Sequence, residues 1–307
     1  MAVIEVDELR KEYRLRRGRR TAALDGVSFE VPEGGVFGFV GPNGAGKTTT
    51  IRCLLGLVRP TSGRCSVLGV DPQVHVERIQ RRVGSLIETQ ALFPAFSGHR
   101  NLAHLARLHR LPLRRVDDVL EQVGLAERAD DALATYSLGM HQRLGIAAAL
   151  LKEPELLILD EPASGLDPQG IVEIRHLLER IGGEGRTVFV SSHQLAEVQQ
   201  VCDRVAVLAR GRCVATGPVD DVLASVGTTG VVVRVDDPPA AVAVLVADGF
   251  EAWIDDDGAV RSALPPGDAP LLARALAGHD IYPRELRAGG ASLEEAFLEL
   301  TRRGQQP

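Results

Sequence analysis

The chain has no long apolar run. A run such as Ile146 to Leu151 falls far short of the ~20 residues that a membrane-spanning helix needs. Its first residues, MAVIEVDELRKEY, lack the apolar core of a secretion signal and read as a strand. The expectation is a chain that is soluble when expressed alone and reaches a membrane only through a partner. Cysteine is scarce: Cys53, Cys65, Cys202 and Cys213 stand far apart without metal-ligand spacing, which predicts reduced thiols in or near the core. Positive charge is in short supply as well. A net charge of −6 argues against a general nucleic-acid binder, so no nucleic-acid partner is expected. A basic cluster, Arg14 to Arg20, reads as a solvated hairpin tip rather than an RNA or lipid patch. There is no internal repeat and no low-complexity segment.

What remains is an ordinary globular composition, 45% apolar and 25% charged, over 307 residues. That is room for one large domain and a smaller one. Two textures divide the chain at residue 220. Over residues 1–220, apolar runs rich in β-formers alternate with helical patterns, as a mainly parallel sheet requires. Gly35 to Val40, Leu156 to Leu159 and Arg186 to Val190 are predicted strands, and Lys47 to Leu57 and Pro168 to Ile181 predicted helices. A helical insertion over about residues 88–152 holds predicted helices Asn101–Leu111, Leu113–Val123 and Ser137–Leu151.

Residues 221–307 carry about twice as many acids as bases and read β-α-β-β-α-β, the order of a small ferredoxin-like α+β unit. Its strands are Val231–Val235, Phe250–Ile254, Ala259–Ala263 and Ile281–Leu286, with helices Pro239–Ala247 and Asp268–Leu276. Ser292 and Glu295 form a capping box for a last helix.

The chemistry sits in the first 220 residues. Gly41-Pro42-Asn43-Gly44-Ala45-Gly46-Lys47-Thr48-Thr49 fits G-x-x-x-x-G-K-[ST] between a strand and a helix. Glycines let successive N–H groups turn in around phosphates, and the helix N-terminus adds its positive end. Lys47 would neutralise β/γ charge, and Thr48 would ligate Mg²⁺. Asp160 ends a buried strand beside this loop and suits the same ion; Glu161, pointing elsewhere, can reach an attacking water. His193 follows a strand predicted to neighbour that of Asp160, within reach of a γ-phosphate. Ser137 opens a long helix, where a cap and an anion site share one geometry.

Taken together, this loop, Tyr136-Ser137-Leu138-Gly139-Met140, Leu156 to Pro162, Ser164-Gly165-Leu166-Asp167 and Ser191-Ser192-His193 resemble the ATPase subunit of an ABC transporter, with every motif in order. The resemblance implies a P-loop ABC ATPase core with a mainly parallel sheet, an antiparallel β part and the helical insertion, and ATP with Mg²⁺ as ligands. It implies that Tyr13 stacks on adenine, that Glu161 is the general base, and that Asp167 lies at a dimer seam. It also implies that Ser137, Leu138, Gly139 and Met140 clamp the ATP of a second subunit, in a head-to-tail homodimer docked on an integral membrane permease. The chain would then sit at the cytoplasmic face of the membrane.

Two departures narrow the resemblance. Glu88 stands where a glutamine is usual, at a metal and coupling position, and Leu138 and Met140 depart from the common form of the family's signature motif, Ser-Gly-Gly-Gln, which here is the Ser137–Met140 turn. Both are similar to bacterial exporters of the bacitracin and lantibiotic self-protection type. The expected function is ATP hydrolysis that powers drug, antibiotic or peptide efflux. The alternatives are a soluble ABC ATPase acting on ribosomes or another cytosolic complex, and a regulatory module with hydrolysis impaired by Glu88.

Overall fold

Alternating apolar residues at both ends of the first forty positions make two long strands, β1 (Ala2–Arg14) and β2 (Arg20–Pro32). They pair antiparallel from Ala2 opposite Pro32 to Arg14 opposite Arg20. In this computed structural model the described residues are 2–14, 20–87, 92–224, 230–255 and 257–289. The chain divides into two compact units, Met1–Val219 and Asp220–Pro307.

In the first unit the elements continue as β3 (Gly35–Val40), α1 (Lys47–Leu54), β4 (Ser62–Val67), α2 (Val76–Arg82) and β5 (Val83–Leu86). The helices α3 (Gly98–Leu108), α4 (Arg114–Gln122) and α5 (Leu138–Leu150) follow. The unit closes with β6 (Leu156–Asp160), α6 (Pro168–Gly183), β7 (Thr187–Ser192), α7 (Leu195–Val201), β8 (Arg204–Ala209) and β9 (Arg212–Pro218).

Among the described residues of this unit, β2-β1-β4 form an antiparallel sheet and β5-β6-β7-β3-β8-β9 a second sheet. The second is parallel from β5 to β8, and only β9 runs antiparallel. Parallel strands covered on both faces read as near-continuous apolar runs, and every residue of β7 is buried, with its polar residues at the two ends. The two sheets are joined by aromatic packing. Phe29 of β2 lies 5.0 Å from Phe39 of β3 and stacks on Phe189 of β7 at 6.2 Å. Offset ring contacts of this kind add about 0.5–1.5 kcal/mol each beyond area burial.

The expected helical insertion is present as α3, α4 and α5, which pack on one another. Its first helix starts three residues before the expected Asn101, because Ser97 caps it by accepting from Arg100 N at 3.1 Å. Asn101 is buried and holds the preceding turn through Phe93 N and O. α1 ends at Leu54 rather than Leu57, where the N–H groups of Leu57 and Val58 both close back on Arg52 O. Glu88 lies outside the described residues.

After α8 (Val219–Ala224), the second unit holds β10 (Gly230–Arg234), α9 (Pro238–Ala247), β11 (Ala252–Ile254), β12 (Val260–Ser262), α10 (Ala269–Ala277) and β13 (Glu285–Gly289). The sheet order is β11-β12-β10-β13, with every neighbouring pair antiparallel, as a ferredoxin-like unit requires. Val231, Val233, Val260, Leu245, Leu272 and Leu276 form its core. The last strand begins four residues later than expected. Ile281 N is used to close α10 on Leu276 O, and Pro283 has no N–H to give a ladder. The capping box at Ser292 and Glu295 lies outside the described residues.

Cys53, Cys65 and Cys202 are buried and Cys213 half-buried, all as free thiols. Burial pushes Cys53 and Cys213 up to about 11 and Cys65 to about 12, and raises Cys202 as well. A thiolate is the reactive form, so the native protein is expected to resist alkylation at pH 8. Titration with a thiol reagent should count four reactive groups only in denaturant; rapid native labelling would contradict the burial.

Candidate nucleotide site

The loop between β3 and α1 is shaped by close approach. Gly46 has φ +111°, and a Cβ there would stand 2.7 Å from Ala23 O. Only glycine satisfies both conditions. Thr50 N bonds Gly46 O at 2.9 Å, which starts α1 and leaves the N–H groups before it directed at the cleft. Asn43, Gly44, Gly46, Lys47, Thr48 and Thr49 line that cleft together with Ala23, Glu161, Ser164 and His193. Gly41, Pro42 and Ala45 support it: Ala45 N bonds Pro42 O at 3.1 Å, while Gly41 O and Pro42 O accept from the Lys47 ammonium at 2.6 and 3.3 Å.

Lys47 is 6% exposed, and a buried ammonium must be paired. Its third partner is Glu161 Oε1, at 3.1 Å. The other carboxylate oxygen of Glu161 lies 2.6 Å from His193 Nδ1. A carboxylate only accepts, so Nδ1 carries the proton in this contact. One carboxylate thus joins the phosphate loop to the end of β7.

Glu161 reaches this position through an unusual backbone. Its φ is +52°, the left-handed region, which costs a non-glycine residue about 1 kcal/mol. Its N–H bonds Ser191 O at 3.2 Å and Ser191 Oγ at 3.0 Å, and these hold the turn. Asp160, one residue earlier, points the other way. Its Oδ2 accepts from Thr48 Oγ1 at 2.8 Å, and its Oδ1 accepts from Ser191 Oγ. Among the described residues no group of three or more His, Cys, Asp or Glu could hold a metal. Thr48 and Asp160 offer two hard oxygen donors, which suits a cation whose other ligands are water and phosphate oxygen.

Ser191 carries more of this geometry than its place in the motif suggests. It is fully buried, donates to Asp160 and accepts from Glu161. A buried polar residue at the end of an apolar strand, next to the strand of Asp160, was the available signal. Tyr13, by contrast, does not line the cleft. It sits on β1 opposite Thr21 with the Lys11 ammonium 5.2 Å from its ring, and Ala23 takes the nearer place.

Ser137, Leu138, Gly139 and Met140 are not brought to the phosphate loop. They line a separate cleft with Arg143, Gly165, Leu166 and Asp167. Ser137 caps α5 by accepting from Met140 N at 3.2 Å, and Asp167 caps α6 by accepting from Gly170 N at 2.9 Å. Met140 is buried beneath the turn and Leu138 half-exposed on it.

Replacing Ser191 with alanine should lower Mg²⁺-dependent nucleotide hydrolysis about tenfold or more, the usual effect of removing a group that orients a metal ligand. The half-saturating Mg²⁺ concentration should rise with it. Parental Mg²⁺ dependence in Ser191→Ala would rule out this orienting role.

A family model described as ABC transporter matches residues 24–164. The chain is 38% identical to the Bacillus subtilis ABC transporter ATP-binding protein YhcH over 296 residues, 96% of this chain and 95% of that one. It is 36% identical to the bacitracin transport ATP-binding protein BcrA of Bacillus licheniformis over 303 residues, 97% of each chain. Among solved structures, cbiO1 of Clostridium perfringens, part of the ABC transporter complex cbiONQ, superposes with a TM-score of 0.65 at 32% identity, covering 73% of this chain and 91% of that one. A phosphate loop, two acids in register beside it, a capped signature turn and this similarity along nearly the whole chain agree: the chain belongs to the ATP-binding subunits of ABC transporters and is an ATPase of that family.

Proposed function

We propose that this chain is the ATP-hydrolysing subunit of an exporter and powers a separately encoded membrane permease that expels an antibiotic, drug or peptide. The observation that carries this reading is the separation of the two clefts. The phosphate loop and the Ser137–Met140 turn are lined by different residues, so one copy holds two half-sites. A second copy set head to tail completes both, with each signature turn closing on the ATP bound by its neighbour. Among the described residues no helix is long and apolar enough to cross a membrane, which fits a subunit held at the cytoplasmic face through a permease. Similarity to a bacitracin transport protein along the full chain supports the choice of cargo class.

Within the site, the loop amides and Lys47 bind the β- and γ-phosphates, and Tyr13, which lies outside the phosphate cleft, would stack on an adenine that extends beyond it. Mg²⁺ at Thr48 and Asp160, with Glu88 as a further oxygen donor, would neutralise charge on the transferring phosphoryl group. Lys47 and Glu161 neutralise each other. An incoming phosphate competes for the same ammonium, and the released carboxylate, still held by His193, takes a proton from the attacking water. His193 turns Nε2 toward the phosphate and donates to a γ-phosphate oxygen when both ring nitrogens carry a proton, and Asp167 lies at the seam between subunits.

Glu161→Gln keeps the shape of the side chain and removes its basicity. It is expected to lower kcat by about a hundredfold or more and to accumulate an ATP-bound dimer in size-exclusion chromatography; parental turnover would remove Glu161 as the base. Co-expression with its permease should move the chain into the membrane fraction and raise resistance to the exported compound. A chain that stays soluble and sediments with ribosomes would overturn the exporter reading.

A further inference from the structure

A small cavity lies between α6 and α7, next to the phosphate cleft, and Glu161 and Ser164 line both. Ile174 and Leu178 of α6 and Val198 and Val201 of α7 make its wall largely apolar. Two charged residues interrupt that wall, Arg175 of α6 and Glu197 of α7. Arg175 Nε and Glu197 Oε1 are buried and have no hydrogen-bond partner among the described residues. Native interiors leave few such atoms unpaired, and charged groups least of all. One is a donor and the other an acceptor, so both are satisfied by a single group that accepts from Nε and donates to Oε1. The volume decides what that group is. The cavity measures about 40 Å³, room for one water and far below the ~150 Å³ that takes a benzene-sized molecule. Ordered waters that bridge otherwise unsatisfied buried groups are a regular part of protein interiors.

Glu197 lies in the first turn of α7, four residues after His193. The backbone ties that turn loosely. Val198 N reaches Gln194 O only at 3.5 Å, against about 2.9 Å for an ordinary bond. Gln194, at the N-cap, gives the helix no side-chain bond. Leu195 and Val198 are buried and press α7 on β3 and β7, but apolar burial is non-directional and leaves the rotation of a short helix open. Burial raises the Glu197 carboxyl, His193 and Arg175 act to lower it, and Glu161 adds to the rise. All three groups therefore lie within electrostatic reach of Glu197.

We propose that Arg175 and Glu197 are positioning residues that hold one buried water between α6 and α7, and that this bridge sets the rotation of α7 and with it the aim of His193 at the γ-phosphate. The inference rests on the reading of His193 as a phosphate-facing group given above. A misplacement of about 1 Å at such a group costs up to about a hundredfold in rate, so a bridge one helical turn away is close enough to matter.

The test uses the full-length chain and ATP as the probe, with kcat, KM and Tm measured for each variant. Glu197→Leu removes the acceptor and should lower kcat about tenfold or more. Its KM for ATP should stay within about twofold, because the loop amides and Lys47 still bind the phosphates. Its Tm should move by no more than a few degrees. Glu197→Gln keeps an accepting oxygen and should recover most of kcat. Since both side chains hold one water, Arg175→Met combined with Glu197→Leu should lose no more than the worse single variant. Placed on His193→Ala, Glu197→Leu should cost nothing further, whereas a merely structural role would lower either background alike. Parental kcat in Glu197→Leu overturns the proposal, as do additive losses in the double variant, a further loss on His193→Ala, or a Tm fall in step with lost activity. A crystal structure of the parent should show one water within hydrogen-bonding distance of both atoms, and a dry cavity overturns the bridge. If His193→Ala turns over like the parent, the phosphate-facing reading of His193 falls and the bridge falls with it. If His193→Ala is impaired and Glu197→Leu is not, only the bridge is lost.

Discussion

The parallel pairing of β6 with β7 sets Asp160 opposite Ser191, and the phosphate cleft depends on that register. From it follow the bond from Ser191 Oγ to Asp160, the bond from Glu161 N to the same hydroxyl, and the approach of His193 to Glu161. A slip of one residue would turn each side chain to the opposite face of the sheet. The register is secured by burial on both faces of β7, which leaves no solvent-facing alternative for Thr187 to Ser192.

At the end of these strands two neighbouring acids are divided between two tasks by backbone geometry. Asp160 still belongs to the strand and faces Thr48. Glu161 leaves it in the left-handed region and swings to Lys47 and His193. The modest strain is offset by two bonds from its N–H to Ser191. Two carboxylates held apart in this way can serve a cation and a water without competing for one place.

The same turn begins the stretch that runs to Asp167 and the N-terminus of α6. The phosphate cleft and the cleft at the Ser137–Met140 turn therefore lie at the two ends of one short, hydrogen-bonded segment.

Much of this was legible in the amino-acid order. Spacing alone placed Gly41 to Thr49 between a strand and a helix, and put Asp160 and Glu161 at the end of an apolar run. It also marked Ser137 as a helix cap. Such features are local: they need only neighbouring residues, periodicity and turn chemistry. The ends of elements were less legible, because Ser97, Arg52 and Leu276 accept or close bonds that depend on how the chain folds back. Ser191 as the shared partner of both acids, and Ala23 at the edge of the phosphate cleft, depend on positions far apart in the chain. The sequence by itself determined which chemical groups this ATPase carries and on which elements they sit, because those depend on local pattern. Tertiary structure alone decided which of them meet, because a contact across the sheet depends on strand order and register, which no single segment encodes.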